Sequence, residues 1–312
     1  MQGESQANNA VLMVRPAAFG FNPETAVTNA FAARTQPDCS QAALAEFDRA
    51  VERLQRAGVT VLVMEDSLEP AKPDAAFPNN WVSFHADGRL VVYAMATPTR
   101  RLERRVDALV EALTSHGFAV SGVVDLTGHE TTGRFLEGTG SLILDRPRRR
   151  AYAALGPRTC PEALEAFGAR LDYSIFAFNA ADRLGQPIYH TNVMMSLGTR
   201  FAMLCPEVVS PEQRQQLMDD IEAGGRTFIT VDYEQMRHFA CNILELRTAK
   251  GDPLVALSAS AKACLRPDQI AMLERLGGDL VDVPIPTIEA VGGGSLRCMI
   301  ADIHLPRISP GF

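Results

Sequence analysis

Short apolar segments alternate with amphipathic helices along the sequence, and this alternation constrains the fold more than any other feature. An apolar stripe along Ser40–Ala57 predicts a helix, and the mostly apolar stretch Val59–Met64 predicts a buried strand after it. Trp81–Phe84 and Leu90–Met95 predict two strands joined at the turn Asp87-Gly88. Gly140–Leu144, Asn192–Leu197 and Met299–Ile303 predict further strands. A strand–strand–helix–strand order returns at intervals of roughly 50 residues, with negligible identity between units. The pattern predicts an α/β fold built from a structural repeat.

The chain is expected to form one domain. Its 312 residues equal about two average domains of ~150 residues, but no low-complexity linker divides them. Asp66–Phe77 and Asp125–Phe135 have the composition of long loops rather than of domain boundaries. We therefore expect a single domain over residues 10–312, preceded by a polar, disordered N-terminus over residues 1–9.

Composition and charge exclude several classes of protein. The chain has 30 Lys and Arg against 37 Asp and Glu, so its net charge of −7 disfavours binding to nucleic acid. No apolar run approaches the ~20 residues of a membrane-spanning helix, and the N-terminus lacks the pattern of a signal peptide. Six scattered cysteines without a CxxC pair, and no HExxH motif, disfavour a disulfide scaffold or a zinc site. These features predict a cytoplasmic protein without metal, membrane or nucleic-acid partners.

The most unusual stretch is Gly292-Gly293-Gly294, which is followed closely by Cys298. Consecutive glycines allow a sharp turn and a close approach of backbone to a ligand. A thiol held there is a candidate nucleophile if a neighbour stabilises its thiolate form. The alternative is a glycine-rich loop that precedes a strand with a buried, inert cysteine.

A nucleophilic thiol needs a base, and His190 is the histidine best placed to supply one. It follows Gly185-Gln186-Pro187 at the start of a predicted strand, where α/β proteins place side chains over a site. Glu137 lies between apolar and small residues, so we expect it to be buried and paired with a cation or with hydrogen-bond donors. Each has a structural alternative, because His190 could be an ordinary structural histidine and Glu137 a turn residue packed against an arginine.

Two further patterns concern polar and basic side chains. Asn79 and Asn80 precede Trp81, the only tryptophan, and offer two amides that could bind a polar planar group or form a simple turn. The arginine clusters within residues 100–105 and 146–150 are interpreted as solvated faces.

Together these stretches resemble the pentein superfamily of guanidine-modifying enzymes, which contains arginine deiminases, dimethylarginine dimethylaminohydrolases and amidinotransferases. The order of Asn79-Asn80, Glu137, His190 and Cys298 matches the family's order of site motifs. Gly156-Pro157-Arg158-Thr159 looks like the family segment whose arginine holds the substrate carboxylate, and Ala240-Cys241-Asn242-Ile243 is similar to the stretch that opens the last repeat. The segments closest to the citrulline hydrolase (citrulline ureidase) branch are Arg15-Pro16 with Phe21–Thr25, Phe77–Trp81, Phe135–Ser141 and the segment around Cys298.

The resemblance implies a fold and a catalytic site. The fold would be a five-bladed α/β propeller of ββαβ units around a pseudo-fivefold axis. Cys298 would be the nucleophile and His190 the acid and base, with Glu137 holding His190 in its charged form. Arg158 would bind the substrate carboxylate, with Arg15 as a second candidate.

The departures from the family pattern bear on the substrate. Arginine deiminases have a carboxylate two residues after the catalytic histidine and another in the early loop, whereas this chain has Asn192 and Asn80 (or Asn79). Loss of two anions would weaken binding of a guanidinium by about 2–5 kcal/mol. An amide can instead donate to a ureido oxygen and accept from its NH2. The change of Glu-Gly-Gly-Asp to Glu137-Gly138-Thr139-Gly140-Ser141 leaves the contacts of that segment open.

We therefore expect a cysteine-dependent hydrolase that converts L-citrulline to ornithine, carbon dioxide and ammonia through an S-carbamoyl-type intermediate. It would need no cofactor, and its partner would be an amino-acid substrate, with a homo-oligomer left open. One alternative is a guanidino-substrate enzyme (arginine deiminase, dimethylarginine hydrolase or amidinotransferase), for which Asp38, Asp66, Asp74 or Asp302 would supply the missing carboxylates. The other is a pentein that binds a ligand without catalysis.

Overall fold

The strands form five small sheets of the same design. The computed structural model describes residues 4–33 and 39–308, and all statements on structure refer to them. The strands are β1 (Ala10–Arg15), β2 (Thr60–Glu65), β3 (Val82–Phe84), β4 (Arg89–Val92), β5 (Gly122–Asp125), β6 (Ile143–Asp145), β7 (Arg150–Leu155), β8 (Ser174–Asn179), β9 (Met195–Leu197), β10 (Phe201–Leu204), β11 (Thr227–Thr230), β12 (Leu244–Arg247), β13 (Pro253–Ser258), β14 (Asp279–Val283) and β15 (Ala301–Asp302). Their order in the five sheets is β15-β1-β2, β3-β4-β5, β6-β7-β8, β9-β10-β11 and β12-β13-β14.

In every sheet the middle strand pairs antiparallel with one neighbour and parallel with the other. In the first sheet β1 pairs parallel with β2, from Ala10↔Thr60 to Arg15↔Glu65, and antiparallel with β15. This sheet therefore joins the beginning of the described chain to its end. The predicted α/β fold of repeated units is confirmed in these five sheets, which are consistent with a five-bladed arrangement.

Helices connect the parallel strands because a parallel pair needs a long crossover. The helices are α1 (Pro23–Ala26), α2 (Ser40–Arg56), α3 (Pro98–Arg101), α4 (Val106–Ser115), α5 (Gly138–Ser141), α6 (Pro161–Leu171), α7 (Pro211–Glu222), α8 (Tyr233–Arg237), α9 (Ala259–Cys264), α10 (Pro267–Gly277) and α11 (Pro286–Gly292). The predicted stripe of α2 is buried at Ala43, Phe47, Ala50 and Leu54. None of the helices of the described chain is long and apolar enough to cross a membrane.

Tight turns precede four of the strands that open a sheet, and here the sequence prediction was wrong about where the strands begin. Gly140–Leu144, Asn192–Leu197 and Met299–Ile303 were each predicted as strands throughout. Instead α5 precedes β6, and 3₁₀ turns at Thr191–Val193 and Leu296–Met299 precede β9 and β15. A further 3₁₀ turn at Pro78–Asn80 precedes β3. We call β3, β6, β9, β12 and β15 the first strands; β15 packs near β3, and β9 near both β6 and β12. The turns are thereby gathered at one end of the first strands.

The N-terminal segment differs from its expected disorder. The Glu4 carboxylate lies 2.6 Å from Nη1 of Arg146, with both side chains buried, and Gln6 Nε2 donates to the carbonyl of Leu144 at 2.9 Å. The prediction was therefore wrong for residues 4–9, whereas residues 1–3 lie outside the described residues. The expected single domain over 10–312 stays a prediction. Arg146 also corrects the expectation of a solvated arginine cluster, because it is 2% exposed.

Candidate active site

The turns before the first strands place polar side chains around one cavity. Cys298, His190, Asn80 and Arg158, four of the residues singled out in the sequence, line it. The other lining residues are Thr25, Asn29, Asp74, Phe77, Arg100, Tyr189, Gly292, Gly293 and Gly294. Elements far apart in the sequence therefore meet at a single site.

Cys298 is presented to this cavity by the glycine-rich stretch. Helix α11 ends at Gly292, and Gly293 follows with φ 63°, a left-handed conformation that favours glycine. A Cβ on Gly293 would also lie 2.5 Å from the backbone nitrogen of Ala32, so a larger residue does not fit. The hydroxyl of Tyr189 donates to the Gly293 carbonyl at 2.6 Å and holds the turn. Cys298 follows in the 3₁₀ turn with 3% exposure.

Two amides contact the sulfur of Cys298. Nδ2 of Asn242 lies 3.3 Å from Sγ, and Nδ2 of Asn192 lies 3.4 Å from it. Asn242 Nδ2 also donates to the backbone carbonyl of Asn192 at 3.1 Å, which ties the two residues together. N–H donors directed at sulfur stabilise an anionic thiolate. Asn192 was predicted to bind the substrate, and the structure places its amide on the sulfur.

Glu137 and His190 form a buried pair. Oε2 of Glu137 lies 2.8 Å from Nε2 of His190, and its Oε1 accepts from the backbone N–H of Ala96 at 3.0 Å. Burial opposes ionisation of Glu137, but the charge of Arg158 and the bond to His190 together lower its pKa. Because an ionised carboxylate only accepts hydrogen bonds, Nε2 of His190 carries the proton and Nδ1 is left as an acceptor.

Burial lowers the pKa of His190 to about 4, although Glu137 acts in the opposite direction. Glu137 therefore stabilises the charged form of His190, but burial outweighs this effect and favours the neutral imidazole. A neutral imidazole can accept the proton of a thiol, after which it becomes the acid. Gly140 lies against this ring, since a Cβ there would be 2.9 Å from His190 Nδ1 and 2.4 Å from Asn80 Nδ2.

Two buried arginines and one carboxylate complete the wall. Arg158 donates through Nη2 to the carbonyl of Thr25 at 2.7 Å and lies 3.4 Å from Glu137. Arg100 donates to the Asn80 Oδ1 oxygen at 2.7 Å and pairs with Glu103 at 2.9 Å. Asp74 lines the cavity too.

The Asp74 carboxylate is bound by Asn22 and Thr25, and the carbonyl of Thr25 also accepts a hydrogen bond from Arg158. The carboxylate accepts from Asn22 Nδ2 at 2.7 Å and from the Thr25 hydroxyl at 3.2 Å. Burial raises its pKa, against the opposing effects of Arg100 and Asn22. Asp74 and Arg158 thus place opposite charges around Thr25.

The sequence prediction also named residues that lie elsewhere. Arg15 does not line the cavity; it is one-third exposed and pairs with Asp48 at 2.7 Å, so we remove it as a carboxylate ligand. Asn79 is fully buried, and neither polar atom of its side chain has a partner in the described part of the chain.

Arg100 and Asn242 were missed as site residues. Arg100 had been assigned to a solvated face, and nothing in a run of arginines distinguishes the buried member. Asn242 belongs to a stretch that carried the family resemblance, which could have indicated it. No group of three or more metal-ligating side chains occurs within residues 4–33 and 39–308.

Comparison with protein families identifies the fold and the superfamily. The family model described as N,N dimethylarginine dimethylhydrolase, eukaryotic, matches residues 15–305. The chain belongs to this family, within the pentein superfamily. The resemblance inferred from the motifs is thereby confirmed. No curated protein matches the sequence significantly.

Solved structures agree on the fold. ArgZ, described as an arginine dihydrolase from the ornithine–ammonia cycle in cyanobacteria, superposes with a TM-score of 0.74 at 16% identity, over 96% of this chain and 41% of ArgZ. The N-terminal domain of ArgZ, bound to substrate, gives 0.71 at 15% identity over 96% of this chain and 97% of the domain. A dimethylarginine dimethylaminohydrolase adduct with S-methyl-L-thiocitrulline gives 0.64 at 14% identity over 94% and 99%. This chain thus spans less than half of full-length ArgZ, and the likeness shows the fold.

Proposed function

We propose that the protein is a cysteine-dependent hydrolase that cleaves the ureido carbon–nitrogen bonds of L-citrulline. The observation that carries this proposal is the nature of the groups at the sulfur. Both polar side chains that contact Cys298 Sγ are amides, Asn192 and Asn242. A third amide, Asn80, lines the cavity with an Nδ2 that lacks a partner among the described residues. Neutral amides suit a neutral ureido group better than a cationic guanidinium.

The remainder of the cavity suits the α-amino-acid end of the substrate. Arg158 would bind the carboxylate, as the family resemblance implies, and Asp74 lies near it to receive the α-ammonium. Arg100 adds positive charge while it orients Asn80. Opposite charges held in a buried site discriminate strongly for a zwitterion.

The reaction balances with water as the only co-reactant. His190 takes the Cys298 proton, and the thiolate attacks the ureido carbon. His190 then protonates the departing side-chain nitrogen, which leaves ornithine and an S-carbamoyl cysteine. Water activated by His190 hydrolyses this thioester-like bond and regenerates the thiol, and the released carbamic acid decomposes to carbon dioxide and ammonia. Glu137 stabilises the imidazolium formed in between.

The guanidino alternative is favoured by one observation. Among the aspartates that could bind a guanidinium, Asp74 lines the cavity, whereas Asp66 pairs with Lys72 and Asp302 with Arg146. Asp38 lies outside the described residues. If Asp74 gripped a guanidinium instead of an α-ammonium, the same Cys298, His190 and Glu137 would act on arginine or a methylated arginine. An amidinotransferase would in addition need an acceptor amine.

The cytoplasmic location and any homo-oligomer stay predictions.

The test measures ammonia and ornithine from L-citrulline, with L-arginine assayed in parallel. We expect both products from citrulline and their loss in Cys298→Ala. Cys241→Ala is the matched control, because Cys241 is also buried and free but does not line the cavity. Ammonia and citrulline formed from arginine would instead assign the enzyme to the guanidino group. No turnover of either, with methylated arginines also inert, would contradict both assignments.

A further inference from the structure

A second cavity lies among the first strands and shares no lining residue with the candidate active site. Among its lining residues, Leu197 and Asp302 are the C-terminal residues of β9 and β15, and Leu144 is next to the C-terminal residue of β6. We call it the strand-end cavity. Leu142 and Ile243 are among its apolar lining residues, so the cavity has both aliphatic and polar lining.

One cation in this cavity is poorly compensated. Arg297 is 7% exposed, and its guanidinium makes a single hydrogen bond within the described chain, from Nη1 to the Ile300 carbonyl at 2.8 Å. The nearest carboxylate oxygen, Oδ1 of Asp302, lies 3.6 Å from Nη2. A guanidinium has five N–H donors, so most of its hydrogen-bonding capacity is unused. Burial lowers the pKa of Arg297, with Asp302 acting in the opposite direction.

The neighbouring arginine does not have this capacity. Arg146 donates to Glu4 at 2.6 Å, to the Phe84 carbonyl at 3.1 Å and to Asp302 at 3.0 Å. Asp302 in turn is held by Arg146 and His304. Arg297 is therefore the charged group of this cavity that can still receive a ligand.

A second, independent feature points to a ligand. Ser196 lines the same cavity, is 6% exposed, and its hydroxyl has no hydrogen-bond partner in residues 4–33 and 39–308. A buried hydroxyl without a partner is costly, so such groups indicate an absent water, ion or ligand. We propose that the strand-end cavity binds a small aliphatic carboxylate, whose oxygens are received by Arg297 and Ser196 and whose hydrocarbon chain packs against Leu142 and Ile243.

A ligand bound in the strand-end cavity would affect the active site through the backbone. Arg297 directly precedes Cys298 in the 3₁₀ turn Leu296–Met299. An anion that fixes the Arg297 side chain therefore also restrains the turn that carries the nucleophile. The proposal does not depend on the substrate of Cys298, because binding can be measured without turnover.

The test uses sodium propionate as the probe, with propionamide as its neutral counterpart, at constant ionic strength adjusted with sodium chloride. Titration calorimetry and the thermal unfolding midpoint of the full chain are the readouts. We expect saturable binding and stabilisation by propionate and neither by propionamide. Ser196→Ala, which removes one oxygen, should weaken propionate binding roughly three- to tenfold and leave basal turnover unchanged. Arg297→Gln should abolish saturable binding.

Two results would overturn the proposal. Absence of saturable propionate binding would mean that the strand-end cavity holds only water. Equal propionate affinity in wild-type and Ser196→Ala protein would place the anion elsewhere, including at Arg158 in the candidate active site. Because Ser196→Ala decides between these places, the test stands even if Arg297→Gln does not fold.

Discussion

The turns before the first strands and the C-terminal end of β6 differ in how their buried polar side chains are paired. At the end that carries the turns, the amides of Asn79, Asn80 and Asn192 each have at least one side-chain atom without a partner in the described chain. At the C-terminal end of β6, Asp145 is instead paired with Arg226, whose Nη1 and Nη2 lie 2.6 and 3.0 Å from its two oxygens. Buried polar groups without partners are costly and concentrate where a ligand supplies the missing bonds. The comparison assigns chemistry to the turns and stability to the Asp145–Arg226 pair.

Replacement of His190, the proposed base, should lower activity much more than it lowers the free energy of unfolding. His190→Gln is expected to lower kcat by roughly 10²–10⁴-fold, because general acid–base catalysis contributes about that much. Steady-state kinetics measures the loss, and chemical denaturation should show a free energy of unfolding within about 2 kcal/mol of the wild type. A near-normal kcat would remove His190 from the mechanism.

For the Asp145–Arg226 pair, a substitution is expected to lower stability and not activity. Asp145→Asn leaves Arg226 buried without its counter-charge and should lower the free energy of unfolding by about 3–5 kcal/mol, with kcat per folded molecule unchanged. Denaturation in urea measures the effect. The double variant Asp145→Asn with Arg226→Met serves as control and should recover part of the loss. A single variant as stable as the wild type would show that this pair does not support the fold.

The amide at the sulfur should govern which substrate is used. Asn192→Asp introduces a carboxylate beside Cys298, which disfavours the thiolate and a neutral ureido group and favours a guanidinium. We expect kcat/KM for citrulline to fall at least tenfold, and the ratio of arginine to citrulline turnover to rise. Asn192→Ala is the control, since it removes the amide without adding charge. An unchanged ratio in Asn192→Asp would separate Asn192 from substrate choice.

The last prediction concerns how the stability of the protein depends on pH. The pKa of His190 is lowered to about 4 in the folded protein, from about 6.5 in an unfolded chain. The folded state therefore binds fewer protons between these values, so the stability contribution is complete above pH 6.5 and is lost as pH falls towards 4. We expect the wild type to lose about 2–3 kcal/mol relative to His190→Gln across that window, measured by urea denaturation at each pH. A constant difference would contradict a neutral, buried His190.

Much of the fold could be predicted because apolar periodicity is a strong signal, as α2 and β2 demonstrate. The starts of β6, β9 and β15 could not be predicted, since small and polar residues such as Gly140 and Asn192 fit a strand by pattern and a turn by tertiary contact. These turns carry the site, so local pattern failed where long-range contacts dominate.

The candidate site was predicted in part. Cys298, His190, Glu137, Asn80 and Arg158 do meet in space, as their order along the chain suggested. Arg15 was expected in the site and Arg100 on a solvated face, and the structure has the reverse. Burial of an arginine depends on partners distant in sequence, such as Asn80 for Arg100 and Asp48 for Arg15.

Attack of Cys298 on a ureido carbon can be observed by mass spectrometry of acid-quenched protein after mixing with L-citrulline. We expect a carbamoyl group on the peptide that contains Cys298. The group should be absent in His190→Gln protein, in which the thiolate does not form, and absent when ornithine replaces citrulline. An amidino-type adduct with L-arginine, and no adduct with citrulline, would contradict attack on a ureido carbon.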